Sequence, residues 1–248
     1  MLNPVFFGAS SRQLFGMYDP SAMGGGQGAV LCAPWGQEYL RAHQSMRHLA
    51  RLLARAGVHA FRFDYTGSGD SDGSDLDDSV TQWVEDAETA IDELKDTAGV
   101  EKVSLVGLRL GAAVAALAAK RRRDVQRLVL WDPVFDGQAL LNALTARIPN
   151  NQRTFPLQIS GFRVTESAYA EVKDVGLHTF DGKLPRTLIV STDSAESVRP
   201  LEERMRASQT DVVTEVRPGP QAWVEIGNFG AAGMPVAALQ SIAKWVTS

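Results

Sequence analysis

Cysteine, long apolar runs and excess positive charge are all scarce or missing in this 248-residue sequence. The single cysteine, Cys32, excludes an internal disulfide and is typical of a protein in a reducing compartment. No apolar run reaches the length of a transmembrane helix, and the first residues, MLNPVFFGASSRQ, lack the basic start and apolar segment of a signal peptide. A formal charge of −4 gives no electrostatic footprint for nucleic acid or an anionic membrane. We therefore expect a soluble cytoplasmic protein that binds neither.

Strand and helix patterns alternate along the chain. VFFGA and RQLFGMYDP predict two antiparallel strands, and later apolar runs alternate with segments of helical spacing, such as the one around residues 41–56. This alternation predicts an α/β fold with a mainly parallel sheet and helices on both faces. The length suits one domain over residues 1–248. The alternation is interrupted at residues 136–184, where we expect a lid inserted into that domain.

The most informative motif lies in VSLVGLRLGAAVAAL, from Val103 to Leu117. It reads as an apolar strand, a tight glycine turn and an Ala-rich helix. A strand–turn–helix of the form G-x-S-x-G carries the nucleophilic serine of α/β-hydrolases. Here the frame is Gly107-Leu108-Arg109-Leu110-Gly111, so Arg109 stands where that serine would be. A guanidinium stays protonated at neutral pH and has no usable lone pair, so Arg109 cannot be the nucleophile.

The order of elements, this turn and the segment RFDYTGSGDSDG (Arg62 to Gly73) resemble an α/β-hydrolase of the serine aminopeptidase-like branch. A narrower similarity links the chain to the hydrolase-like proteins associated with exosortase A systems. It is carried by CAPWGQEYLRAHQSMRHLARLLARAGVHAFRFDYTGSGDSDG (Cys32 to Gly73) and VLWDPVFDG (Val129 to Gly137). The resemblance covers most of the chain. It implies the α/β-hydrolase fold and, in ordinary members, a serine, an acid and a histidine in that chain order.

Two members of the triad that the resemblance implies are missing. The serine position holds Arg109, and the acid position falls in TDSAESVRP, where Glu196 is the best match and Asp193 the second. The histidine is expected within VRPGPQAWVEIGNF, yet that stretch contains none, and Trp223 or a neighbour fills the slot as a pocket wall. The four histidines lie elsewhere: His43, His48, His59 and His178. Ordinary serine hydrolysis by this machinery is therefore not expected.

Two further motifs have ordinary structural interpretations. The segment Gly69-Asp70-Ser71-Asp72-Gly73 fits G-x-S-x-G, but an Asp-rich loop follows it instead of a helix, so we expect a turn there. The acidic run that continues to Asp78 lacks the spacing of an EF-hand, so we interpret it as a solvated loop and helix start. His178, in the predicted lid, stays an alternative base if the lid carries it into the site.

We expect Arg109 to point into the pocket above the carboxyl ends of the strands, where open α/β sheets bind ligands. The backbone N–H of Leu110 and one from Trp35 or Gly36 would form an oxyanion-type cradle at the start of the following helix. Together with the bidentate fork of an arginine, this cradle predicts a site for a carboxylate, phosphate or sulfate.

Arg109 needs a partner, because a buried unpaired guanidinium is costly. That partner is either a ligand or a carboxylate of the chain, for which Glu38 and Asp132 are the candidates. The two alternatives can coexist if a ligand competes with the internal carboxylate.

Three functions stay open from the sequence. A noncanonical enzyme, of lyase, cyclase or isomerase type, would anchor a small acyl or anionic metabolite of a biosynthetic pathway on Arg109, while Glu38, Tyr39 or Asp132 moves a proton. This predicts a pocket carboxylate with a perturbed pKa. A catalytically inactive pseudo-hydrolase would bind a small molecule or a partner, with Arg109 in an internal salt bridge. A true esterase would need an unrecognised nucleophile. None of the three calls for a metal or cofactor, and homodimer formation is left open.

Overall fold

The computed structural model describes residues 3–176, 182–224 and 233–248. Within these ranges the chain forms ten strands and seven α-helices. The strands are β1 (Asn3–Ala9), β2 (Arg12–Asp19), β3 (Gln27–Cys32), β4 (Val58–Phe63), β5 (Val103–Leu108), β6 (Val125–Trp131), β7 (Leu157–Ile159), β8 (Phe162–Val164), β9 (Arg186–Ser191) and β10 (Val212–Val216). The helices are α1 (Gln37–Arg55), α2 (Val80–Ala98), α3 (Leu110–Arg121), α4 (Gly137–Thr145), α5 (Glu166–Asp174), α6 (Ala195–Ala207) and α7 (Val236–Thr247).

Eight of the strands form one twisted layer in the order β1-β2-β4-β3-β5-β6-β9-β10. The pairs β1–β2 and β2–β4 are antiparallel, and every other neighbouring pair in this sheet is parallel. The predicted α/β fold with a mainly parallel sheet is therefore confirmed. Parallel neighbours bring the carboxyl ends of β3, β5, β6 and β9 to one edge, where the loops that follow them meet.

Helices cover the sheet because its central strands are too apolar to face water. All six residues of β5 are buried, which requires cover on both faces. Helix α1 packs against α7, and α2 packs against α3. None of the helices in the described ranges combines the length and the apolar character that crossing a membrane requires.

Helix α1 begins at Gln37, four residues before the start expected from its apolar spacing. Gly36 has a positive φ of 61°, which turns the chain sharply after the loop that follows β3. The first turn then closes with the N–H of Tyr39 donating to the Gly36 carbonyl at 3.1 Å. The early start brings Glu38 to the first helical turn, beside the carboxyl edge of the sheet.

The segment between β6 and β9, predicted as a lid, contains α4, the β7–β8 hairpin and α5. The hairpin strands have three residues each, too few to produce a recognisable alternation, and the sequence did not reveal them. Four buried residues form a small apolar cluster there: Leu157, Ile159, Val164 and Ala168. Trp35 packs against this cluster as well as against the main core. The function of the segment as a lid stays a prediction.

Candidate functional site

Arg109 occupies the tight turn between β5 and α3. Its φ of 56° and ψ of −122° lie in a region that residues with a side chain rarely adopt, and its N–H donates to the carbonyl of Trp131 at 3.0 Å. The two glycines of the frame permit this geometry. A Cβ at Gly107 would lie 2.2 Å from the Gly111 carbonyl oxygen, and one at Gly111 would lie 2.3 Å from the Ala33 carbonyl oxygen. The chain thus builds the strained elbow that normally presents a nucleophile, with an arginine at its centre.

The guanidinium of Arg109 is held by Glu38. Its Nε lies 3.2 Å from each Glu38 carboxylate oxygen, and its Nη2 lies 3.1 Å from Oε1. Its Nη1 donates to the backbone carbonyl of Asp132 at 3.3 Å, and its central carbon lies 4.6 Å from the ring centre of Trp223. The side chains of Arg109 and Glu38 are 20% and 13% exposed. This is the internal pair that the sequence left open, with Glu38 as the carboxylate. Trp223 lies against the guanidinium, and its role as a pocket wall stays a prediction.

The carboxylate of Asp132 has different partners. Asp132 follows β6 with a positive φ of 41°, and its two oxygens accept the N–H and the hydroxyl of Thr192 at 2.7 and 2.9 Å. Burial raises the pKa of Asp132 to about 6, against the lowering effect of the Thr192 hydrogen bonds and of the Arg109 charge. Asp132 is therefore a buried carboxylate close to the site, with both oxygens already hydrogen-bonded.

Tyr39 turns away from Arg109. Its hydroxyl donates to Asp64 at 2.7 Å, and the other oxygen of Asp64 accepts the Asp70 N–H at 3.1 Å. Burial raises the pKa of both Tyr39 and Asp64. Within the described residues no hydrogen bond joins the Tyr39 hydroxyl to Arg109 or Asp132. The structure thus brings Glu38, Arg109 and Asp132 together and places Tyr39 against the loop after β4.

The expected backbone donors lie at the same edge of the sheet. Leu110 provides the first N–H of α3, which has no acceptor inside the helix. Trp35 and Gly36 lie in the turn before α1. The indole N–H of Trp35 donates to Asp78 at 2.7 Å. The two residues are 43 positions apart in the sequence, and no sequence pattern indicated this contact. Burial raises the pKa of Asp78 to about 7.

The acidic run before α2 is only partly the solvated loop that we expected. Asp78 is 6% exposed, so the interpretation of this residue as solvated is wrong. Asp75 accepts hydrogen bonds from Arg163 of β8, with Nη2 and Oδ1 2.5 Å apart. The acidic run is therefore hydrogen-bonded to both Trp35 and the β7–β8 hairpin.

A narrow apolar cleft opens between the turn before α1 and the segment after β6. Its volume of about 20 Å³ holds about one water molecule in this conformation. A hydrogen bond joins two of its lining residues: Gln37 donates from Nε2 to the backbone carbonyl of Ser160, in the turn of the β7–β8 hairpin, at 2.8 Å. The cleft is lined by Trp35, Gly36, Gln37, Glu38, Leu144, Ile159, Ser160, Phe162 and Val164.

The two candidates for the acid position lie towards solvent. Glu196 is 77% exposed at the side chain and pairs with Arg199 one helical turn away at 2.7 Å. Asp193 is also exposed. His178 and residues 225–229 of the stretch expected to hold a histidine lie outside the described residues. Among the described residues, no group of three or more His, Cys, Asp or Glu side chains is placed to hold a metal ion.

The strand order, the elbow after β5 and the loops at the carboxyl edge together define the α/β-hydrolase fold, and the chain has this fold. The family model for serine aminopeptidase, S33, matches residues 39–156, which include the elbow. A search among curated proteins found no match.

Solved structures with a similar fold include those of Est1E and DcsB. Est1E from Butyrivibrio proteoclasticus superposes with a TM-score of 0.71 at 14% identity, with 98% of this chain and 96% of that chain covered. The same protein with ferulic acid bound gives a TM-score of 0.67 at 16% identity, with the same coverage. DcsB in complex with its substrate analogue gives 0.67 at 16% identity, with 99% of this chain and 98% of that chain covered. At these identities the similarity establishes the fold and leaves the chemistry to the site.

Proposed function

We propose that this chain is a catalytically inactive pseudo-hydrolase that binds a small acyl or anionic ligand at the elbow. The observation that supports this most directly is the Arg109–Glu38 pair at the nucleophile position. A guanidinium neither attacks a carbonyl nor accepts a proton, so the elbow supplies recognition and no covalent step.

The ligand would compete with Glu38 for Arg109. The guanidinium is partly exposed, and Trp223 covers one of its faces, so a ligand oxygen approaches it along its edge. The N–H of Leu110 adds a donor from the start of α3. Such a site accepts a carboxylate or phosphate oxygen where hydrolases of this fold stabilise an oxyanion.

A noncanonical lyase, cyclase or isomerase is the second candidate, because one observation favours it. The pKa of Asp132, raised to about 6, suits proton transfer near neutral pH. Both oxygens of Asp132 are occupied by Thr192, which weighs against that role. The narrower resemblance to proteins of exosortase A systems would place either candidate in a biosynthetic setting.

An esterase with a hidden nucleophile has the least support. Cys32 is fully buried in β3, and burial raises the pKa of its thiol to about 12, so a reactive thiolate does not form near neutral pH.

The test compares wild type with Arg109→Ser and Arg109→Lys against short p-nitrophenyl esters, a fluorophosphonate probe and a thermal-shift panel of carboxylates and phosphates. We expect wild type to show no turnover and no labelling. Anions are expected to stabilise wild type, and this stabilisation is expected to be lost in Arg109→Ser and weakened in Arg109→Lys.

Glu38→Gln removes the negative charge that competes with the ligand and is expected to strengthen anion binding severalfold. Ester cleavage together with probe labelling by wild type would refute the proposal. Conversion of a bound acid, followed by mass spectrometry and lost in Asp132→Asn, would favour the second candidate.

A further inference from the structure

The charges around the elbow favour a ligand that carries one charge of each sign over one that carries only a negative charge. Arg109 is already balanced by Glu38, and Asp132 is close enough for the Arg109 charge to lower its pKa. A lone carboxylate on the guanidinium would face the carboxylate of Glu38 within the same partly buried site. A ligand that brings one charge of each sign avoids this repulsion.

The Arg109–Glu38 pair has unused hydrogen-bonding capacity of both kinds. A guanidinium has five N–H donors, and the contacts to Glu38 and to the Asp132 carbonyl use one each on Nε, Nη1 and Nη2. Among the described residues, one N–H on each terminal nitrogen is therefore left without an acceptor. Among the described residues, the Glu38 oxygen Oε2 accepts a hydrogen bond only from Nε, so it keeps room for another donor.

The apolar cleft borders the ion pair through Glu38, which lines the cleft and pairs with Arg109; Arg109 itself does not line it. Apolar groups of Trp35, Ile159 and Val164 form other walls of the cleft. The cleft holds about one water molecule in this conformation, so a side chain can enter only when its walls, which include Ile159 and Val164 of the β7–β8 hairpin, separate. The hydrogen bond between Gln37 and the Ser160 carbonyl joins two opposite lining residues and would break in that movement.

We propose that the ligand is a free amino acid, or a close analogue, with an apolar side chain. Its carboxylate lies on the free N–H groups of Arg109, its ammonium lies on Glu38, and its side chain enters the cleft. The two charges of an α-amino acid are adjacent, as are those of the Arg109–Glu38 pair. The amino acid can therefore lie beside the pair with each of its charges next to the opposite charge of the protein. This inference rests on the proposed function and narrows its ligand class.

The experiment uses the full chain and five probes: three that share one apolar skeleton, and the amino acids L-alanine and L-leucine, which differ in side-chain size. L-Phenylalanine carries both charges, 3-phenylpropanoate only the carboxylate, and 2-phenylethylamine only the ammonium. We expect calorimetric titration to give L-phenylalanine at least tenfold tighter binding than either single-charge probe. Glu38→Gln is expected to remove the preference for L-phenylalanine over 3-phenylpropanoate, and L-alanine is expected to bind more weakly than L-leucine.

The outcomes separate this inference from the proposed function. Equal binding of L-phenylalanine and 3-phenylpropanoate to wild type, with Arg109 required for both, would overturn the inference and leave the pseudo-hydrolase proposal in place. Binding of none of the three probes would also overturn it, whereas the ester, labelling and anion assays decide the proposed function independently. Val164→Leu, which fills the cleft without touching the ion pair, is expected to reduce binding of L-phenylalanine more than that of L-alanine.

Discussion

The buried carboxylate of Asp132 holds the loop after β9 through a single residue, Thr192. One oxygen accepts the Thr192 N–H at 2.7 Å, and the other accepts its hydroxyl at 2.9 Å. Since β6 and β9 are neighbours in the sheet, this contact joins their carboxyl ends directly beside Arg109. The backbone carbonyl of the same aspartate accepts from the guanidinium, so Asp132 also helps to fix Arg109 in place.

Thr192→Val tests the strength of this contact. The variant keeps the shape and the N–H but removes the hydroxyl donor from a buried carboxylate. We expect the free energy of unfolding near pH 7.5, measured by urea denaturation, to fall by about 2 kcal/mol. Thr214→Val on β10 is the matched control, because the hydroxyl of Thr214 is buried and has no hydrogen-bond partner among the described residues. A similar loss in both variants would show that the Asp132 contact contributes nothing specific.

The fold could be predicted from the sequence because its signals are local. Runs of apolar residues predicted the central strands, and the glycine frame of Gly107 and Gly111 predicted the elbow. The structure gives the reason for these glycines, since close backbone contacts there leave no space for a Cβ. The β7–β8 hairpin could not be predicted. Its strands are short, and its cluster with Trp35 forms only once distant segments meet.

The candidate site could be predicted only in outline. The sequence narrowed the partner of Arg109 to Glu38 or Asp132, but the choice depends on how α1 is placed against the elbow, and Glu38 is 71 positions away. The same limit explains Asp78. The acidic composition of the run that continues to Asp78 suggested a solvated loop, whereas the packing of Trp35 buries this aspartate. Side-chain partners across such separations are set by tertiary packing and leave no periodic pattern.

The buried carboxyl group of Asp78 is expected to make the free energy of unfolding depend on pH. Burial raises its pKa to about 7 in the folded chain, above the value of about 3.9 for an unfolded aspartate. Between these two pKa values the folded state binds more protons than the unfolded state. The stabilisation by protonated Asp78 is therefore complete below about pH 4 and is lost as the pH rises through 7. Relative to Asp78→Asn, wild type is expected to lose on the order of 3 kcal/mol between pH 4 and 8.

The control for this pH series is Asp70→Asn, which changes an exposed aspartate of the same loop. Urea denaturation at steps of pH gives the free energy of unfolding for each protein, and tryptophan fluorescence follows the environment of Trp35. A stability difference between wild type and Asp78→Asn that stays constant with pH would contradict the prediction. A pH-dependent difference in both variants would assign the effect to the loop as a whole.

Gly111→Ala tests whether the elbow depends on the close packing of α3 against the backbone of Cys32 and Ala33. A Cβ at Gly111 would lie 2.3 and 2.4 Å from the carbonyl oxygens of Ala33 and Cys32, and backbone atoms cannot yield as a flexible side chain would. The helix must therefore shift, and we expect a loss of more than about 3 kcal/mol in the free energy of unfolding, or failure to fold. Gly26→Ala is the matched control, since a Cβ there meets no atom within 4 Å, and we expect a change below about 0.5 kcal/mol. Near-normal stability of Gly111→Ala would mean that α3 tolerates displacement, and the position of Arg109 against Glu38 would then not be fixed by the elbow.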